Sequence, residues 1–554
     1  MLFVLSMKST SVLLHKSLAP ASQFHSRHSN FGKAFNQFKY STDSLCNPCG
    51  SRCRFQAIQT RTKHSAHGLP STMASSSTKY SAIIIGSGQA GTPLASAFAK
   101  AGQKTLLIER AHVGGCCINE GCTPTKTLIA SGRAAYLACR GQDYGVHTTK
   151  TGENEVIVDM VKVRQRKRDI VESFRGGGEA RLKGNGVEVM MGEASFVNER
   201  NVKVKLSDGS EKIVEGEKLF LNTGERPAPP KLEGIEKVDP KRVLDSTSIQ
   251  ELEEVPSHLV VVGGGYVGVE FAQLMRRLGS QVSIIQRGKQ LLPREDLEIA
   301  EVFFDILKED GIKIYLESTT SSILSATESG FTLKIQSKTS SGASEEHELT
   351  GSHILFAAGR VPNTESLNLP AAGITTNSKG YINASEFLET SAPNIYVLGD
   401  VKGPPAFTHI SYDDYRILEY NLIINTQTLP KRSTKDRLVP YVVYTDPQLG
   451  HVGLHEKEAR EKFPERKIMT AKMPMSYVAR ALETDESRGV MKAVVDGDTK
   501  QILGFTCLGI EGGEVMSVVQ MAITGGVGYD VLQSAVWAHP SLAESLNNLW
   551  GFLE

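Results

Sequence analysis

From Tyr80 onward, short apolar runs alternate with segments of helical spacing. Ser81-Ala82-Ile83-Ile84-Ile85 has the length and continuity of a buried strand. Leu94, Ala95, Phe98 and Ala99 then recur every three or four residues, as one helix face requires. Thr105-Leu106-Leu107-Ile108 is the next strand, closed by Glu109. Together they predict a βαβ unit. The same order returns later in the chain. Leu259-Val260-Val261-Val262 reads as a strand, a helix runs through Glu270, Phe271, Leu274 and Met275 and ends near Gly279, and Val282-Ser283-Ile284-Ile285 follows as a second strand. Between the two units the pattern predicts a long charged helix from Met160 to about Leu182, then short strands at Val187–Met190 and Val202–Val204. Pro227, Pro229 and Pro230 mark a linker. Past Asp436, strand-like runs (Tyr441–Tyr444, Val490–Val495) alternate with helices, predicting a separate α+β domain.

The two strand-to-helix turns carry glycine fingerprints. In Gly86-Ser87-Gly88-Gln89-Ala90-Gly91, Gly86 makes the tight turn, Gly88 admits a pyrophosphate to the backbone, and Gly91 lets helix and strand pack closely. The helix N-terminus favours phosphate charge. Glu109, at the second strand's end, can accept ribose hydroxyls. The second fingerprint contains Gly263, Gly265, Tyr266 and Gly268, but Gln286 stands where an NAD-binding unit has an acid. Arg287 follows, with Lys289 and Arg294 nearby. An acid repels a 2′-phosphate and arginine binds one, so this unit favours NADP, with NAD as the alternative. Solvated surface cations are the plainer reading of the same residues.

A cysteine run follows the first unit: Gly114-Gly115-Cys116-Cys117-Ile118-Asn119-Glu120-Gly121-Cys122-Thr123-Pro124-Thr125-Lys126. In regular helix the offset from Cys117 to Cys122 rises about 7.5 Å. A disulfide needs Cα atoms within about 4.4–6.8 Å. If the two pair, the backbone between them departs from plain helix, and Gly121 supplies the freedom to bend. Two structural thiols or two zinc ligands are the other readings. No second Cys or His pair at ligand spacing accompanies them, which disfavours zinc.

Composition changes this picture little. A chain of 554 residues exceeds one core. Net charge is +1, so nothing points to nucleic acid. No apolar run is long enough to predict a membrane helix. Eight cysteines in so long a chain do not make a disulfide scaffold. Residues 1–78 differ from the rest: they are rich in Ser, Lys, Arg and His, with Asp43 as their only acid. That is the composition of a mitochondrial or plastid transit peptide; a disordered extension is the alternative. Translation from Met73 would give a cytoplasmic form. Cys46, Cys49 and Cys53 in this leader read as incidental thiols.

In sequence order these motifs resemble the class I pyridine nucleotide-disulfide oxidoreductases, which include glutathione reductase, dihydrolipoyl dehydrogenase and mercuric reductase. The cysteine run matches Gly-Gly-x-Cys-x-Asn-x-Gly-Cys-x-Pro-x-Lys. Thr223-Gly224-Glu225-Arg226-Pro227 and Ala358-Gly359-Arg360-Val361-Pro362-Asn363 match the segments ending the two nucleotide units, and the run from Thr390 to Asp400 matches the second flavin motif. The resemblance implies an α/β fold with two Rossmann-like domains, for FAD and NAD(P), and a C-terminal α+β dimerisation domain. The boundaries are then a leader at 1–78, the FAD domain at 79–235 and 366–436, the NAD(P) domain at 236–365, and dimerisation at 437–554.

The resemblance also implies roles. Cys117 and Cys122 form the redox disulfide, with Cys122 beside the flavin and Cys117 facing the substrate. Lys126 sits near the flavin and pairs with Glu270. Gly86, Gly88, Gly91, Glu109, Thr223, Gly224 and Asp400 hold FAD. Gly263, Gly265, Tyr266, Gly268, Arg287, Arg294 and Gly359 hold NADP, with Tyr266 gating the nicotinamide pocket. His539 and Glu544 form an acid–base dyad that reaches the disulfide of the other subunit of a homodimer. The acceptor is a small disulfide, a quinone or a soft metal ion. NAD-linked dithiol oxidation and a redox sensor with little turnover are the alternatives. Two departures stand out. Cys116 replaces the usual Thr, as a small substitute or a third soft ligand. The chain also lacks the C-terminal cysteine pair of mercuric reductases.

Overall fold

The computed structural model describes residues 78–147, 156–338, 342–425 and 429–554. Residues 1–77 of the leader, with Cys46, Cys49 and Cys53, lie outside them, while Thr78, its last residue, already belongs to the first strand. Strand β1 (Thr78–Ile85) leads through the glycine turn into α1 (Gly91–Lys100) and back along β2 (Thr105–Glu109), which pairs parallel to β1. Two helices carry the cysteine run, α2 (Gly115–Asn119) and α3 (Cys122–Cys139). Helix α4 (Met160–Gly184) starts at Asp159, whose carboxylate accepts from Lys162 N.

Next come β3 (Glu188–Phe196), β4 (Asn201–Leu206) and β5 (Glu211–Leu221). The start of β3 lies parallel to β2, while its second half, residues 192–196, pairs antiparallel with β4. The sequence reading stopped this strand at Met190. It continues because Gly192, Ala194 and Phe196 alternate inward and bury one face. Strand β5 runs parallel to β1 on its other side and receives Ile395–Val397, so the chain returns to its first sheet after leaving the second unit.

That second unit is a parallel sheet in the order Lys313–Tyr315, Gln281–Ile285, His258–Val262, His353–Phe356, Val243–Leu244. Helix α5 (Tyr266–Arg277) is buried without interruption from Gly268 to Met275. It lies between its own sheet and α3, so it has no solvent face along this stretch. A three-stranded antiparallel sheet (Ser318–Thr327, Gly330–Lys338, Ser344–Gly351), absent from the sequence reading, precedes the return to the parallel sheet.

The C-terminal segment forms a five-stranded antiparallel sheet ordered Tyr441–Val443, Gln448–Gly453, Ile502–Gly509, Val490–Asp496, Ile468–Pro474. Helix Gly512–Thr524 covers it. One apolar cluster runs from Val261 and Phe271 through Leu128 of α3 to Val443 and Leu508. Shared burial of this kind fixes α3 between the two sheets. No described helix is long and apolar enough to cross a membrane.

Candidate active site

Helix α2 ends at Asn119, and Glu120 (φ −140°) and Gly121 (φ −117°, ψ −117°) break the path before α3 begins at Cys122. A Cβ on Gly121 would lie 3.0 Å from Cys116 O and 3.2 Å from Cys117 Cα. Glycine therefore lets the two cysteine-bearing turns close on each other. Cys117 and Cys122 are free thiols in this structure. Cys117 donates a hydrogen bond to Cys122, and Thr408 Oγ1 lies 3.3 Å from Cys122 Sγ. The bond from Cys117, with Thr408 and the Lys126 charge beside it, outweighs burial and lowers Cys122 to about 6. Donating that bond, together with burial, pushes Cys117 well up. The pair thus splits into one stabilised thiolate and one thiol. Its place at the start of an 18-residue helix also favours charge on Cys122.

Lys126 lies one turn along α3, and its Nζ is 2.8 Å from Glu270 Oε2 of α5. The other Glu270 oxygen accepts from Tyr444 N at 2.8 Å. Lys126 also stands 4.8 Å above the Tyr444 ring. Its two contacts come from the second unit (Glu270) and the C-terminal segment (Tyr444), so the fold assembles this corner from all three regions.

A cavity of about 380 Å³ runs from Gly86, Gly88 and Glu109 past Cys116, Cys117, Cys122 and Lys126 to Asp400, with Thr223 and Gly224 in its wall. Its glycines are a cradle that side chains would fill. A Cβ on Gly91 would lie 2.2 Å from Gly86 O, and one on Gly115 2.6 Å from Gly88 Cα. Glu109 accepts from Ser87 N (3.0 Å), Ser87 Oγ (2.6 Å) and Ala111 N (2.9 Å), so it shapes the fingerprint loop as well as lining the cavity. Gly224 has φ +66°, and its carbonyl accepts from Asn363 N, while Thr223 Oγ1 donates to Asn363 O at 2.8 Å. These bonds tie the two crossings between the nucleotide units. Burial and the nearby Glu225 charge push Asp400 up to about 6, against Arg360. The glycine cradle, the α1 N-terminus and the elongated cavity fit FAD.

Several residues here escaped the sequence reading. Asn222 Oδ1 accepts from Gly91 N at 2.9 Å, and its Nδ2 donates to Leu398 O at 2.9 Å, joining the fingerprint to the segment before Asp400. Thr408 reaches Cys122 across 286 positions. Arg360 is held by Glu225 at 2.7 Å, Tyr381 donates to the same carboxylate at 3.0 Å, and Arg360 Nη2 lies 3.7 Å from Cys116 Sγ. Burial pushes the Cys116 thiol up even so. Cys116 is therefore a wall of the cavity beside Arg360, its thiol pushed in the opposite direction from that of Cys122. Asn222 was detectable only as a polar residue ending an apolar strand.

In the second unit Gly263 has φ +116°, and a Cβ there would lie 2.9 Å from Ala357 O. A Cβ on Gly268 would lie 2.0 Å from Gly263 O, while Gly265 and Gly359 are open or loosely packed. Gln286 Oε1 accepts from Gly264 N at 3.1 Å, and its Nε2 donates to Gln290 O at 3.0 Å. Arg287, Lys289 and Arg294 are exposed and form no salt bridge among the described residues. Tyr266 starts α5 and stacks on Tyr441 (centroids 5.4 Å apart) and Phe407 (6.5 Å). His539 Nδ1 lies 2.9 Å from Glu544 Oε2, with the His539 side chain 67% exposed. Neither residue lines the cavity that holds the cysteines. The chain does not bring this dyad to its own Cys117.

A family model described as pyridine nucleotide-disulphide oxidoreductase matches residues 80–414, and the dimerisation domain of the same family matches 439–549. The probable pyridine nucleotide-disulfide oxidoreductase RclA of Escherichia coli (strain K12) is 37% identical over 480 residues, spanning 86% of this chain and all of the relative. The mercuric reductase of Staphylococcus aureus is 32% identical, over 84% of this chain and 81% of its own length. The dihydrolipoyl dehydrogenase of Thermus scotoductus is also 32% identical, over 84% and 96%. A solved Cu(II) complex of the HOCl-induced flavoprotein disulfide reductase RclA from Escherichia coli superposes with a TM-score of 0.75 at 36% identity, covering 86% of this chain and 99% of that one. With its FAD-shaped cavity and paired thiols, the chain belongs to the pyridine nucleotide-disulfide oxidoreductases, an FAD- and NAD(P)H-dependent family of flavoprotein disulfide reductases.

Proposed function

We propose that this chain is an NADPH-linked reductase whose Cys117–Cys122 pair passes two electrons to a small disulfide or a soft metal ion. The supporting observation is the shared cavity, which brings Cys117, Cys122, Lys126 and Glu270 against the FAD cradle. Bound FAD would carry a hydride equivalent from the nicotinamide to the disulfide. The chain's own residues do the rest. Lys126, anchored by Glu270, holds positive charge beside Cys122, and Thr408 supplies a hydrogen bond. Deprotonated Cys117 attacks one sulfur of the substrate, and the first product thiolate leaves. Cys122 then attacks the Cys117 sulfur, re-forming the disulfide and releasing the second thiol. His539 of a second copy, oriented by Glu544, takes the Cys117 proton and returns it to the leaving thiolate.

A homodimer supplies that second copy. The dimerisation domain supports it, as do Val536, Met521, Tyr477 and Val531, exposed apolar residues of the C-terminal region. The preference for NADPH rests on neutral Gln286 and the free cations Arg287, Lys289 and Arg294. Dihydrolipoyl dehydrogenase-type chemistry is the second reading, favoured by the Thermus scotoductus relative and opposed by Gln286. The metal arm draws on the copper complex of the Escherichia coli protein. For residues 1–78 we propose organellar import; a fluorescent fusion that stays cytoplasmic would refute it. Turnover of the purified enzyme with oxidised glutathione, lipoamide, copper, mercury and quinones, each with NADPH and NADH, tests the whole reading. Disulfide or metal reduction with NADPH is expected. Faster turnover with NADH, or activity on quinones alone, would overturn it.

A further inference from the structure

Glu295 is a buried carboxylate, 5% exposed, that the reaction above does not use. It closes the loop after the second strand of the second unit. Gln290 Nε2 donates to its carbonyl at 3.0 Å, and Gln290 itself accepts from Gln286, which accepts from Gly264. The loop carrying Arg287 and Arg294 is thereby laced to the second fingerprint and ends on Glu295. The side chain turns inward. Its Oε1 accepts from Tyr441 Oη at 2.7 Å and from Tyr266 Oη at 3.4 Å. Tyr441 is fixed in turn by His455 Nε2 at 3.1 Å. The rings continue the arrangement: Tyr266, Phe407 and Tyr441 stack on one another, and Tyr441 stacks on His451.

Glu295, His451 and His455 place donor atoms within 4.8 Å of one another. The two imidazoles nevertheless lie face to face, 3.9 Å apart and 13° from parallel. Lone pairs lie in the ring planes, so stacked rings do not aim them at a common ion. The cluster is better suited to holding tyrosines than to holding a metal.

The direction of that hold is informative. Val267 and Phe407 line the flavin cavity, but Tyr266, next to Val267 in the chain and stacked on Phe407, does not. Its ring is drawn away from the cavity, onto Tyr441. We propose that Glu295 is a positioning residue, a latch that parks Tyr266 against Tyr441 and Phe407 and so keeps the nicotinamide path open. The inference rests on reading Tyr266 as the gate of that path. A gate freed from its latch spends more time across the path, and nucleotide affinity falls by the fraction of open molecules.

The test is NADP⁺ binding to the oxidised, FAD-loaded enzyme by titration calorimetry, with thermal stability measured alongside. Glu295→Ala should weaken binding by up to about tenfold, the scale of one buried hydrogen bond. Glu295→Gln keeps an acceptor for both hydroxyls and should restore binding to within about twofold. In a Tyr266→Ala background, Glu295→Ala should have no further effect. An equal loss in that background would make Glu295 a general structural residue and overturn the latch while leaving the gate intact. Wild-type binding by Glu295→Ala would overturn the latch as well. If Tyr266→Ala alone changes neither NADP⁺ binding nor the rate of reduction by NADPH, the gate reading fails and the latch with it.

Discussion

The two nucleotide units build the same turn around different side chains, an acid in one and a neutral amide in the other. In the first, the residue ending the second strand is Glu109, whose carboxylate takes two hydrogen bonds from Ser87 and one from Ala111 N. In the second, Gln286 occupies that position and takes one bond from Gly264 N. Each fixes its glycine loop, so loop geometry does not require an acid. What differs is the field left for a ligand. Glu109 is a buried carboxylate, suited to ribose hydroxyls. Gln286 is neutral and is followed in the chain by three exposed cations, Arg287, Lys289 and Arg294, a set suited to a phosphate. On the proposed reading, one backbone motif serves two dinucleotides, with the distinction carried by a single side chain and its neighbours.

Breaking each loop separately has the largest expected effect. Gly91→Val places a Cβ 2.2 Å from Gly86 O, and Gly268→Val places one 2.0 Å from Gly263 O. Overlaps of this size cost about 3 kcal/mol or more at the loop. Gly91→Val should be purified without flavin, seen as loss of its visible absorbance. Gly268→Val should retain flavin, with reduction by NADPH slowed by about 100-fold or more in stopped flow. Equal flavin loss in both would erase the assignment of the two units.

Exchanging the charges is the next test. Gln286→Glu and Arg287→Ala should each lower kcat/KM for NADPH by about ten- to 100-fold, the range of a charged hydrogen bond. NADH turnover should change by no more than about twofold in Arg287→Ala. An equal fall with both nucleotides would assign Arg287 to folding rather than to the 2′-phosphate.

A smaller effect lies where the units meet. In the reduced protein the Cys122 thiolate forms as pH rises through about 6, so it is charged at pH 7, where an ordinary thiol is protonated. Thiolate absorbance in the ultraviolet should titrate near that value. Cys117→Ala removes the largest cause, the bond from Cys117, and should move the step upward. An unmoved step would assign the effect to Thr408 and Lys126 instead.

Local patterns in the sequence carried the glycine turns, the cysteine run, α1, α4 and α5. Each of these is set by neighbours a few residues away. The support around them was not legible. Asn222, Thr408 and Tyr381 act through contacts between 131 and 286 positions apart, which leave no periodicity. The Lys126–Glu270 contact was anticipated from a resemblance, and the structure places those atoms 2.8 Å apart. Tyr266 was singled out, but its stacking on Tyr441 and Phe407 requires the C-terminal sheet to dock, which a single segment does not encode. The extension of β3 was missed because its parallel half reads as apolar and its antiparallel half as alternating.

On the proposed mechanism, electrons from NADPH come to rest on Cys117 and Cys122. Anaerobic titration of the FAD-loaded enzyme with NADPH, followed by thiol counting under denaturing conditions, tests it most directly. One equivalent of NADPH should expose two new thiols per chain, mapped to Cys117 and Cys122, with a long-wavelength absorbance band from Cys122 beside the flavin. Full bleaching of the flavin with no new thiols would contradict it.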